Sequence, residues 1–372
     1  MKSFTISARS SLAEARRLQD LDTVTVDTQR LKARNLLPLA LKTALWAVRP
    51  GGEIVIQDAS PPSPGPDPYQ VIQGMIRQWT FKFIGADCDL VALEPQRIVL
   101  KRKAEVIGPG WSAGVIFSGN DGEIPLLHAN LQGLLRQPEL DAGQGGEIVV
   151  CGPERDLSFL SDYPSVRYLT FETAPGPRFM VCEKKNFLMR ALKNPRMVIM
   201  HVRVVLEEGA LAAVPREFEI ASPDVAIETR RGRAPYLSLI QSDTMQLGAM
   251  PRRVRSLLRD APACDPLRLM ERGPVFVDGG VFFVTKRVFD ACPLHDEIAW
   301  NEAEDVEWCA RAFAQGFVSE LVPGSDALSQ TTKLKDYSGL GPAEVPLRTA
   351  KRWVQTIRGR LRHHLARLRG EC

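Results

Sequence analysis

Residues 274–317 read PVFVDGGVFFVTKRVFDACPLHDEIAWNEAEDVEWCARAFAQGF. A glycine pair, Gly279 and Gly280, precedes an apolar run with strand-like composition. A basic-aromatic element follows, Lys286, Arg287 and Phe289, then a short acidic loop with Asp296 and Glu297. Glu304 and Asp305 then open a helical pattern that ends in Arg311 and Gly316. Three carboxylates, Glu304, Asp305 and Glu307, fall within four positions beside Trp308. They repel one another unless a cation or a helix end offsets them. A helix start accounts for them in one way: Asn301-x-x-Glu304 is a capping-box pattern, and acids favour the first turn through the helix dipole. Trp308 and Phe313 would then be core. A catalytic base held over a substrate accounts for them in another. Two adjacent carboxylates in a cleft push one proton affinity upward, which suits a base working near neutrality.

Upstream, strand and helix patterns alternate from residue 113. AGVIFSGND (113–121) reads as a strand entering a polar turn, and EIPLLHANLQGLLRQPEL (123–140) as an amphipathic helix with Leu126, Leu127, Leu131, Leu134 and Leu135 inward. GGEIVVCGPERD (145–156) and SVRYLTFE (165–172) read as strands, KKNFLMRALKN (184–194) as a helix, and PRMVIMHVRVV (195–205) as one further strand. Such alternation makes a mostly parallel sheet, and ligands then bind at the carboxyl ends of its strands. Those ends carry Ser118, Asn120 and Asp121; Glu154, Arg155 and Asp156; and His201 and Arg203. Lys184 and Lys185 read either as a solvated helix face or as cations near an anion.

The order of residues over about 113–330 resembles the GT-A fold glycosyltransferases that use nucleotide-diphospho-sugar donors, in particular the large family 2 group. The block at 274–317 carries the specific part of that resemblance; FSGNDGEIPLLHANLQGLLRQ and EIVVCGPERD look like its nucleotide-binding strand–helix–strand. The resemblance implies an α/β, GT-A mixed-sheet domain that moves a sugar to a glycan, lipid-linked or protein acceptor, with inversion. It implies Asp305 as the base and Glu304 as its neighbour on the acceptor. Donor-binding positions would be Ser118, Asn120, Glu154, Asp156, Lys185, Arg203, Gly279 and Gly280. Bacterial polysaccharide assembly is one setting for such a transferase.

One departure bears on the cofactor. The family carries an Asp-x-Asp-like motif that holds Mn2+ or Mg2+ across the diphosphate. Here that place reads His201-Val202-Arg203-Val204, with no carboxylate before Glu207. Arg203 can supply the positive charge, His201 can be one ligand of an ion completed elsewhere, or the site is dead. In the last case the chain is a non-catalytic scaffold, a pseudo-glycosyltransferase that binds partners.

The first hundred residues alternate again: LDTVTVD (21–27), a helix over 30–48, EIVIQD (53–58), and a strand pair over 89–103. ALWAVRPGGEIVIQD with the closing strand pair resembles the carboxyl half of a class I S-adenosylmethionine-dependent methyltransferase, a partial Rossmann-like lobe over about 20–103. Few residues precede it, and none is a glycine, so the cofactor-binding half is missing and no S-adenosylmethionine is expected. A truncated sheet of this kind leaves the edge of strand 21–27 bare, to be covered by the second domain or by a partner chain. The expected domains are 1–105, 112–335 and a basic tail over 336–372.

The chain has 372 residues, a 25% charged fraction and a net charge of +4, too small to argue for nucleic acid. Seven scattered cysteines without a CxxC fit a reducing cytoplasm. No apolar run is long enough to span a membrane. The segment between 206 and 273 is arginine-rich, with Arg230, Arg231, Arg233, Arg252, Arg253 and Arg255; the resemblance implies an acceptor-side role for it, and a generic solvated arginine surface accounts for it equally. In the tail, 346–370, Trp353, Val354, Ile357, Leu361 and Leu365 recur near helical spacing among arginines. That reads as a peripheral contact with the inner membrane face, as a contact with a partner, or as a solvated, partly frayed terminus.

Overall fold

The computed structural model of the chain describes residues 2–28, 30–31, 36–57, 82, 87–94, 96–103, 108–172, 180–229, 232–235, 239–241, 267, 270, 275–299, 302 and 304–331. In chain order the strands are β1 (Ser3–Ile6), β2 (Leu21–Asp27), β3 (Val48–Gln57), β4 (Cys88–Glu94), β5 (Arg97–Arg102), β6 (Trp111–Ile116), β7 (Glu147–Gly152) and β8 (Val166–Thr170). They continue with β9 (Arg196–His201), β10 (Val204–Leu206), β11 (Ile220–Thr229), β12 (Gly232–Pro235), β13 (Leu239–Gln241), β14 (Val275–Val277), β15 (Val281–Thr285) and β16 (Ser319–Ser329). The described α-helices are α1 (Arg9–Ala15), α2 (Leu37–Ala47), α3 (Ile124–Leu135), α4 (Val181–Ala191), α5 (Lys286–Ala291) and α6 (Glu304–Ala314). Residues 1–330 pack as one compact unit and residues 331–372 form a second. The architecture is mixed α/β with mixed sheets, and the tail at 346–370 lies outside the described residues.

The smaller sheet has the order β1-β2-β3-β5-β4. Strand β1 pairs in parallel with β2, Ser3 opposite Thr23 through Ile6 opposite Val26. The expectation that the edge of 21–27 is left bare, for the second domain or a partner chain to cover, is therefore corrected. The alternating SFTI at the start of the chain satisfies that edge itself. The helix expected over 30–48 ends at Ala47, because Val48, Arg49 and Pro50 already extend as β3; Leu21 pairs with Val48 before a register shift brings Thr23 opposite Glu53. Gly51, at φ +78°, makes the irregularity possible.

The larger sheet has nine strands in the order β10-β16-β11-β15-β9-β6-β7-β8, with β12 on β11. Strands β9, β6, β7 and β8 are parallel neighbours, and β15 runs antiparallel to β9. Alternate residues feed opposite faces: Ala113, Val115, Val198, Met200, Val281 and Phe283 pack toward α3, whereas Ile116, Met197, Ile199, Phe282 and Val284 pack toward α4, α5 and α6. Burial of each valine, isoleucine, methionine or phenylalanine among them stabilises by about 1.5–3 kcal/mol. Leu127, Leu131 and Leu134 of α3 are inward, but Leu135 is exposed. The run 195–205 is two strands, because the chain turns at Val202 and Arg203 so that β10 can pair with β16.

Buried ion pairs join the two sheets. Lys42 Nζ is 2.5 Å from Glu219 Oε1, Arg16 is 2.5 Å from Glu320, and Arg102 is 3.3 Å from Glu217. Burial pushes the carboxyls of Glu217, Glu219 and Glu320 above their ordinary range, against the cations that hold them down. The described cysteines, Cys88, Cys151, Cys182, Cys292 and Cys309, are free and buried.

Candidate active site

The turn Asp278-Gly279-Gly280 precedes β15, next to the carboxyl end of β9: His201 N donates to Gly280 O at 3.0 Å. It therefore sits at the edge where β6, β7 and β9 end. Glu304 and Asp305 reach the same turn from the start of α6. Gly279 N donates to Asp305 Oδ2 at 2.9 Å, and Lys185 Nζ, from α4, donates to Gly279 O at 2.9 Å and lies 3.3 Å from Glu304 Oε1. A Cβ on Gly279 would stand 2.7 Å from Glu304 Oε1, so a side chain there would displace the Glu304 carboxylate. A Cβ on Gly280 would stand 2.5 Å from Arg203 Nη2 and 2.7 Å from Asp278 Oδ1. Arg203 and Asp305 thus pack against the same diglycine turn.

The carboxylates of α6 do not confront one another unaided. Glu307 is held by Arg311, at 2.7 and 2.9 Å, and that bond lowers its proton affinity. Glu304 is buried and takes Lys185. Asp305 is half-buried; burial first, then the charge of Glu304, push its carboxyl above the ordinary range, while the Gly279 N–H and Lys185 act to lower it. A solvated helix start would leave these groups in water, and Glu304 is only 7% exposed. Asn301, the other half of the capping-box pattern, lies outside the described residues. Trp308 is core, donating Nε1–H to Cys292 O at 2.7 Å.

Helix α4 ties this half of the edge to the other. Lys184 and Lys185 are 2% and 0% exposed, which corrects the reading of a solvated helix face. Lys184 Nζ donates to Phe117 O at 2.6 Å, just beyond β6, and burial pushes its ammonium below the usual lysine range. Asn186 Nδ2 donates to Leu294 O at 2.7 Å and Asp296 Oδ1 at 2.6 Å, fixing the acidic loop. The pattern Val181, Lys184, Lys185, Leu188 is i, i+3, i+4, i+7, so the lysines share the apolar face. That spacing was the available signal. Asn186 and Asp278 are the positioning groups that motif reading passes over.

The loops after β6 and β7 are bound to one another by Arg155, which donates to Gly119 O at 2.9 Å and Asp121 Oδ1 at 2.8 Å and stacks on Phe159. Within these loops the sequence-derived donor positions make local bonds. Ser118 Oγ donates to Glu123 Oε2 at 2.7 Å, Asn120 Oδ1 accepts from Gly122 N, and Asp156 accepts from Ser158 N and Oγ. Glu154 is exposed, its N–H donating to Glu172. These four residues occupy the ends of β6 and β7; Asp305, Glu304, Lys185, Arg203, Gly279 and Gly280 converge at the end of β9 and the start of β15. Among the described residues no group of three or more His, Cys, Asp or Glu side chains is arranged to hold a metal ion, around His201 or elsewhere. No described helix is long and apolar enough to cross a membrane.

No family model matches the chain, and no curated protein does. Among solved structures it is similar to "Crystal structure of GalNAc-T7 with UDP, GalNAc and Mn2+", with 13% sequence identity and a TM-score of 0.45. The match covers 73% of this chain and 54% of that one, so the chain spans about half the length of that protein. The likeness is one of fold alone and is too weak to bear on activity.

Proposed function

We propose that the chain is a glycosyltransferase that moves a sugar from a nucleotide-diphospho-sugar to an acceptor hydroxyl with inversion. The observation that carries the reading is the convergence of Asp305 and Arg203 on the Gly279–Gly280 turn, at the carboxyl edge of parallel strands. The acceptor oxygen attacks the anomeric carbon. The bond from that carbon to the diphosphate oxygen breaks, and its electron pair leaves with the nucleoside diphosphate. The acceptor's proton passes to the Asp305 carboxylate, whose raised proton affinity fits a general base. Glu304, fixed by Lys185, orients the acceptor and tunes Asp305. Ser118, Asn120, Glu154 and Asp156 border the donor's nucleoside end, and Arg203 faces its diphosphate. Any Mn2+ or Mg2+ would neutralise the leaving group, with His201 the nearest candidate ligand. One imidazole without carboxylates is a poor donor set for such an ion.

The acceptor falls in the class of glycans, lipid-linked sugars or proteins, and the basic tail at 346–370 is the segment proposed for a membrane surface. The amino-terminal sheet acts as a buttress, through Lys42, Arg16 and Arg102. The missing Asp-x-Asp carboxylate favours a second reading, a scaffold that binds partners without turnover. A thermal-shift screen across nucleotide-diphospho-sugars, followed by a hydrolysis assay on any stabilising donor, separates them. Stabilisation with turnover supports the transferase; neither stabilisation nor turnover leaves the scaffold.

A further inference from the structure

We propose that Arg203 takes the place of a divalent cation against the donor's diphosphate, so that this chain binds nucleoside diphosphates without metal. The inference rests on the transferase reading and names how that site recognises its anion. The turn between β9 and β10 brings Arg203 to the sheet edge, beside Gly280, where a metal-binding carboxylate would otherwise stand. The carboxylates near that turn hold separate partners rather than converging as the donor set of an ion. Asp278 Oδ1 accepts from Gly280 N at 2.5 Å, Asp305 accepts from Gly279 N and Val306 N, and Glu304 pairs with Lys185. A hard divalent ion needs several free oxygens at once. No such group exists among the described residues.

Arg203 itself has capacity to spare. Among the described residues its side chain has no ion pair, Asp278 included, and its Nε is buried with no hydrogen-bond partner. An unmet N–H of this kind costs stability unless a ligand supplies the acceptor. The absence of a side chain at Gly280 leaves room for the guanidinium, since a Cβ would come within 2.5 Å of Nη2. A planar guanidinium grips two phosphate oxygens at once and cannot be deprotonated at working pH. Arg203 therefore offers both the charge and the geometry that a leaving diphosphate requires.

Isothermal titration calorimetry with UDP, GDP, ADP and dTDP, in EDTA and in excess MnCl2, tests this on the full chain. The expected result is binding of at least one of them with the same affinity in both buffers. Arg203→Ala should weaken binding in EDTA by about 10- to 100-fold, the worth of a charge-assisted fork. Arg203→Lys, which keeps the charge and loses the fork, should weaken it less, and it serves in place of the alanine variant if that one does not fold. Melting temperatures establish folding of each variant. Binding that appears only with Mn2+, or folded Arg203 variants that bind like wild type in EDTA, would overturn the proposal while leaving the transferase reading standing. No binding of any of the four in either buffer would overturn both.

Discussion

Replacing Lys185 with methionine removes the cation that holds Glu304 while keeping most of the side-chain volume. Lys185 is 0% and Glu304 9% exposed at the side chain, with 3.3 Å between Nζ and Oε1. At that separation and an effective dielectric near 20, the attraction is about 5 kcal/mol before desolvation is charged against it. Removing one partner of a buried pair costs about 3–5 kcal/mol, because the other charge stays behind. The Gly279 carbonyl also loses its donor. Urea denaturation at neutral pH should therefore show Lys185→Met destabilised by about 3–5 kcal/mol. The double variant Lys185→Met with Glu304→Leu removes both charges and should recover most of that loss, since apolar replacement of a whole buried pair is often near neutral. A single-variant loss below about 1 kcal/mol, the range of exposed pairs, would refute the reasoning. A double variant no more stable than the single one would refute it equally.

The pH–rate profile should have its acid limb above 3.8, the ordinary Asp value, because Asp305 must lose its proton to act as base and its folded carboxyl holds that proton more tightly. Glu304→Gln should move the limb down and Lys185→Met should move it up. Stability carries the matching sign. The folded state keeps protons on Asp305, Glu217, Glu219 and Glu320 that the unfolded chain releases. Their contribution should fall as pH rises from ordinary carboxylate values through the raised ones, read from urea midpoints. Lys42→Ala strands Glu219 between the sheets and should cost about 3–5 kcal/mol. Lys82 Nζ donates to Ala314 O at 2.7 Å, at the carboxyl end of the helix that begins with Glu304. Lys82→Ala should cost about 0.3–1 kcal/mol and lower the melting temperature by a few degrees or less.

Much of the fold was legible because its elements carry strong periods. LDTVTVD, GGEIVVCG and PRMVIMH are β-branched or apolar runs bounded by turn residues, and each is a strand. The strand at the start of the chain was missed because SFTI is only four residues long and half polar. Its strand character comes from the parallel partner that β2 provides, a tertiary effect. The break at 202–203 was hidden for the same reason: Val202 to Val205 continues the apolar pattern, and only pairing with β16 demands the turn. At the site, the diglycine and the Glu304–Asp305 pair stood out as a motif. Lys184 and Lys185 read either as a solvated face or as cations near an anion; their spacing from Val181 and Leu188 is what places them inward. The bond from Lys185 to a carbonyl 94 residues away is a long-range fact that local patterns do not contain.

Asp305→Asn tests the central claim most directly. Its amide oxygen can still accept from Gly279 N–H, so the fold and the diglycine turn should persist. The measurement is kcat with a donor that stabilises the wild-type chain, alongside the affinity for that donor and the melting temperature. The predicted result is loss of turnover by about 100-fold or more, the range for removing a general base, with donor affinity and melting temperature close to wild type. Turnover unchanged in a folded Asp305→Asn chain would contradict the assignment of that carboxylate as base.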